Sequence, residues 1–118
     1  MREAAEQQTL IDWARLHQHK IPALRYLHAS LNGIRLSPQQ ARRYKRQGMV
    51  AGVPDLCLPF PVAPYHGLYI ELKTRTGATS EAQRGFLGYL TEVGYRAVVC
   101  RGWIEARDEI VAYLGGGR

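Results

Sequence analysis

Residues 52–73 read GVPDLCLPFPVAPYHGLYIELK, and the two short apolar runs in this stretch decide the fold. Gly52-Val53-Pro54 punctuates the chain before the first run, 55–58, and the Pro-rich segment from Pro59 to His66 turns it back into the second, 67–73. Side chains alternate along a strand, so Leu68, Ile70 and Leu72 share one face of the second run while Tyr69, Glu71 and Lys73 share the other. If the two runs pair as an antiparallel hairpin, Asp55 falls opposite the far end of the second strand, close to Glu71 or Lys73. Charges inside apolar strands are costly to bury unless they are paired or bound to metal, and here three converge.

Outward from this hairpin, the flanking segments read as further elements of an α/β domain. Glu6, Leu10, Trp13 and His17 form one stripe of an amphipathic helix over 3–18, and Leu24 to His28 reads as a strand followed by a turn at Asn32-Gly33. Ser37-Pro38 starts a second helix that Gly48 stops. Ser80 with Gln83 fits a capping box, opening a helix with apolar face Ala82, Phe86, Leu90 and Val93 and stop at Gly94. Ala97 to Cys100 is a buried strand. A last helix, about 103–114, turns Ile110, Val111 and Leu114 inward and runs into a frayed Gly115–Gly117 tail. The predicted order is αβαββαβα, a mixed central β-sheet flanked by helices, in one domain spanning 1–118.

Composition narrows the partner. The net charge is +6, and residues 1–50 carry nine Lys or Arg against three acidic residues, while 51–118 carry seven of each. The whole basic excess therefore lies in the first half, which points to a polyanion. Arg42, Arg43, Lys45 and Arg46 concentrate it. They are read as DNA phosphate contacts, with an ordinary solvated surface as the competing explanation, and replacing Arg42, Arg43 and Arg46 by Ala is expected to weaken DNA binding and flatten its salt dependence. No apolar stretch approaches the roughly 18–20 residues of a membrane span, and Cys57 and Cys100 sit in apolar runs as buried thiols. A cytoplasmic protein, bacterial or phage-encoded, is expected.

The four histidines lack the spacing of a zinc site, and the glycine tail lacks the context and lysine of a phosphate loop. Trp13 and Trp103 read as core or interface anchors. Asp55 and Glu71 with a backbone carbonyl, that of Leu72, instead make a hard oxygen site suited to Mg²⁺, which retains several waters and accepts a substrate phosphate. Lys73 beside them can orient or deprotonate an attacking water and offset charge on the phosphate. Replacing Asp55 or Lys73 by Ala is then expected to abolish cleavage while leaving folding largely intact.

Gly52-Val53-Pro54-Asp55, followed sixteen residues after the Asp by Glu71-Leu72-Lys73 and then by Gln83, resembles the PD-(D/E)XK nuclease signature. More narrowly the chain is similar to the small stand-alone members of the VRR-NUC family, over nearly its whole length. The resemblance implies a restriction-endonuclease-like fold. It implies Asp55, Glu71 and the Leu72 carbonyl as ligands of Mg²⁺, with Mn²⁺ able to substitute, Lys73 as the catalytic lysine and Gln83 as a helper; Gln83 as nothing more than the capping residue is the alternative. It also implies a first-helix acid, for which Glu6 matches and Glu3, one turn earlier, is the rival. Activity on branched DNA, as a homodimeric resolvase of four-way (Holliday) junctions that leaves a 3′ hydroxyl and a 5′ phosphate, follows from the resemblance alone. The competing functions are a sequence-reading or nicking endonuclease of the same fold and a non-catalytic DNA-binding module.

Overall fold

The computed structural model describes residues 2–115. In chain order they form α1 (Glu3–His17), a 3-10 turn (Pro22–Tyr26), β1 (His28–Ala29), a 3-10 turn (Leu31–Gly33), α2 (Pro38–Arg46), β2 (Leu56–Leu58), β3 (Leu68–Lys73), α3 (Glu81–Glu92), β4 (Arg96–Arg101) and α4 (Trp103–Tyr113). This is the predicted order of helices and strands. Local chemistry sets the boundaries. Ser37 and Gln40 close a reciprocal capping box at α2, with Pro38 at the first turn, and Ser80 and Gln83 close another at α3. Gly48 and Gly94, at φ 111° and 105°, let the chain leave these helices through a conformation that side chains resist.

The sheet runs β1-β2-β3-β4, antiparallel through the first three strands and parallel between β3 and β4. β2 and β3 form the expected hairpin, with Leu56 opposite Ile70 and Leu58 opposite Leu68. α1 and α4 pack together on one face, where Leu10, Leu56, Leu58, Leu68, Ile70, Leu72, Cys100 and Ile110 make a core with almost no solvent exposure. Each such aliphatic side chain contributes about 1.5–3 kcal/mol by leaving water. α3 makes the crossover between β3 and β4, and it packs on β4 at the other face. Trp13 and Trp103 lie half-buried against the core.

Three local expectations are corrected. The strand over Leu24–His28 is a 3-10 turn followed by a two-residue strand. Pro22 fixes φ at its start, and Leu24 and Leu27, three apart, fall on one side of a three-residue turn and are both buried. On α3, Leu90 is buried and Phe86 half-buried, but Ala82 and Val93 are exposed. On α4 the buried residues are Ala106, Ile110 and Tyr113, while Val111 and Leu114 are only half-buried. Of the predicted glycine tail, Gly116 and Gly117 lie outside the described residues. Both cysteines are free, and burial pushes the Cys100 thiol up to about 12, in keeping with its place in the core.

Candidate active site

One residue beyond the last Leu56–Ile70 pair, the hairpin register brings Asp55 to Glu71. Asp55 is held from both sides. Its Oδ2 accepts the Leu72 N–H at 2.8 Å, and its backbone carbonyl accepts the Ser30 N–H at 2.8 Å. The carboxylate thus takes over from β2 as the hydrogen-bond partner of β3, which explains why an acidic side chain can follow a buried Pro54 at the sheet end.

Glu71 is 2% exposed and sits among groups of both signs. Gln83 donates its Nε2 to Glu71 Oε2 at 3.1 Å, and the Lys73 ammonium stands 3.6 Å from the same oxygen. Burial pushes the Glu71 carboxyl up to about 8; the nearby Asp55 charge adds to this, Lys73 opposes it, and Glu3 adds a smaller push. Gln83 also serves its own helix, since its Oε1 accepts the Ser80 N–H at 2.8 Å. Capping and contact with Glu71, which the sequence left as alternatives, are made by one side chain.

Among the described residues, Glu71 Oε1 is buried and has no hydrogen-bond partner. Leaving a carboxylate oxygen in this state is expensive, and a cation would relieve it. Among the described residues no group of three or more His, Cys, Asp or Glu side chains converges. A cation here would therefore have two carboxylates, with the Leu72 carbonyl and waters to complete its shell. That is the donor set of Mg²⁺ and a poor one for Zn²⁺, so the residues present fit the ion that the sequence implied.

The two first-helix acids separate. Glu6 turns away from the centre and accepts the Trp103 N–H on its Oε1 at 3.0 Å, satisfying an orphan donor at the start of α4. Glu3 acts electrostatically on Glu71 and, with Gln7, lines a cleft of about 380 Å³ that also holds Asp55, Arg15 and Ser30. The signal for Glu3 lay in its i, i+4 spacing to Gln7, a stripe next to the one that carries Glu6 and Leu10. Two glycines were not singled out for the contacts they allow. A Cβ at Gly52, which has φ 90°, would lie 2.4 Å from the Ala82 carbonyl oxygen, so glycine lets the loop before Asp55 seat on the first turn of α3. A Cβ at Gly77 would meet Thr74 Oγ1 at 2.8 Å and come within 3.8 Å of Glu3. The basic cluster stands apart from this centre: Arg42, Arg43, Lys45 and Arg46 are all exposed on α2.

Comparison with known proteins gives the family. The VRR-NUC domain profile matches residues 1–103. A solved structure described as a VRR_NUC domain protein is similar with a TM-score of 0.80 and 30% identity, covering 97% of this chain and 88% of that chain. No curated protein matches. With a profile match over most of its length and the likeness of a mixed sheet flanked by helices, the chain belongs to the VRR-NUC family of nucleases, which have the restriction-endonuclease-like fold.

Proposed function

We propose that this protein is a Mg²⁺-dependent endonuclease that hydrolyses phosphodiester bonds in branched DNA, four-way junctions above all, and that it works as a homodimer. The observation that carries the reading is the buried Glu71 oxygen without a partner, set beside Asp55 and Lys73. Asp55 and Glu71 would hold the cation, and Gln83, donating to Glu71 Oε2, keeps that carboxyl oriented. When bound, Mg²⁺ supplies Lewis-acid polarisation of the phosphoryl oxygens and lowers the pKa of water. Lys73 lies close enough to Glu71 to hold a water or a phosphate oxygen at the same place and to offset negative charge there. In the overall reaction a water oxygen bonds to phosphorus, the bond from phosphorus to the 3′ oxygen breaks, and that oxygen gains a proton. The exposed arginines and lysine of α2 meet phosphates and position the DNA. Two identical centres in a homodimer match the two-fold symmetry of a four-way junction.

The test is cleavage of a labelled four-way junction beside a linear duplex and a single strand of the same sequence, with Mg²⁺, with Mn²⁺ and with EDTA, using Lys73→Ala as the control. Paired metal-dependent incisions near the branch, absent from linear DNA and from the variant, are expected, with a dimer in sedimentation. Site-specific cuts in linear duplex would move the reading to a sequence-reading endonuclease. Tight binding with no incision would move it to a non-catalytic DNA-binding module.

A further inference from the structure

α2 has no buried residue; Ala41 alone is half-buried, and Asn32 Nδ2, bonded to the Val50 carbonyl at 3.0 Å, ties down the return of the chain behind it. Gln39, Arg42, Arg43, Arg46 and Gln47 line one shallow concavity of about 630 Å³ on this helix. Their spacing of i, i+3, i+4, i+7, i+8 is a single helical stripe. Tyr44, on the flank of the helix next to Gln47, lines a second cleft with Leu31, Asn32 and Met49, so Gln47 borders both clefts while Gln39, Arg42, Arg43 and Arg46 face away from the body of the protein. No carboxylate pairs with the three arginines among the described residues.

We infer that α2 is a duplex-reading helix that enters the major groove of DNA, with its arginines on phosphates and guanine edges and Gln39 and Gln47 on adenine edges. The inference rests on the DNA reading proposed above and goes beyond phosphate contact. An α-helix with its side chains is about 10–12 Å across, which the roughly 12 Å width of the major groove admits. Insertion needs a helix that stands clear of its own domain, and α2 does. Arg and Gln are the side chains whose paired donors and acceptors fit guanine and adenine edges there. Like charge argues against a second copy as the occupant, because the chain itself carries +6. The return from α2 leads within nine residues to Asp55, a span of at most about 30 Å, so a helix seated in the groove stays tethered to the candidate centre.

Binding in EDTA separates this from cleavage. Anisotropy is measured for a labelled linear duplex and for the same duplex with 7-deazapurines, which lose the N7 acceptor in the major groove alone. The substitution should weaken binding about tenfold, and the Gln39→Ala/Gln47→Ala/Arg46→Ala variant should bind the unmodified duplex about tenfold more weakly and lose most of the discrimination. The melting temperature should not move, because none of the three side chains is buried. Equal affinity for the two duplexes, or displacement of the protein by a minor-groove ligand such as distamycin, would overturn the inference even if junctions are cut. A protein that discriminates the duplexes yet cuts nothing would support it while sinking the nuclease reading.

Discussion

Below pH 8 the metal-free Glu71 carboxyl keeps its proton, because a buried charge beside Asp55 costs more than Lys73 returns. Its folded pKa of about 8 lies above the 4.5 of the unfolded chain. The folded state therefore binds the extra proton, and this group's contribution to stability is full below about pH 4.5 and is lost as pH rises toward 8. In EDTA the Glu71→Gln variant should accordingly melt higher than the parent at pH 8, and the two should converge toward pH 5. A parent curve that rises with pH over this window would contradict the assignment. Mg²⁺ should raise the parent's melting temperature and release close to one proton at pH 7, read by calorimetry in two buffers. Asp55 behaves differently, because its Oδ2 holds the buried Leu72 N–H. Asp55→Ala, expected from the sequence to spare folding, orphans that donor at a cost of about 1–3 kcal/mol. Asp55→Asn keeps an acceptor and should melt near the parent while losing cleavage; melting as low as Asp55→Ala would show the bond unimportant. At this scale the sequence was informative where strand alternation applied. Asp55, Glu71 and Lys73 converge because period two and one hairpin leave few arrangements, whereas Glu3 and Glu6 are told apart only by where α4 docks, which no local pattern encodes.

Among the elements, the loop from Lys73 to Ser80 is the connection between the two halves of the site. It follows β3 directly and ends at the helix that carries Gln83. Arg101, in register with Lys73 on β4, donates to the carbonyls of Thr74 and Gly77, and Thr74 Oγ1 accepts the Gly77 N–H at 3.0 Å. Losing this clamp frees the turn beside Glu3 and Lys73. Arg101→Ala should lower kcat by about ten- to a hundredfold, since small misplacements of catalytic groups have costs of that order, with KM nearly unchanged. A rise in KM with unaltered kcat would instead assign Arg101 to DNA contact. The clamp was not readable from the sequence, as Arg101 is one arginine among many until β3 and β4 are known to be parallel neighbours. Helix caps were readable, because Ser-x-x-Gln is a local signal. The segment around Leu24 lacks such a local signal: its five residues suit either a strand or a 3-10 turn, and burial of Leu24 and Leu27 decides which.

For the molecule as a whole, the contact between Glu6 and Trp103 joins residues 97 positions apart, and α1 packs on α4 beneath a sheet whose parallel pair closes only with β4. Deleting residues 103–115 removes Ala106, Ile110 and Tyr113 from the core and should leave a chain without a cooperative melt; a cooperative transition in that variant would show that α4 is dispensable. Such long-range closure makes folding slow relative to a helical bundle of the same size. On the ribosome, at about 5–20 residues per second, Asp55, Glu71, Lys73 and Gln83 have all been synthesised well before α4 emerges. The nascent chain thus carries Asp55, Glu71, Lys73 and Gln83 before it holds the helix that packs behind their sheet, so the candidate site should take its final geometry only after α4 has left the ribosome.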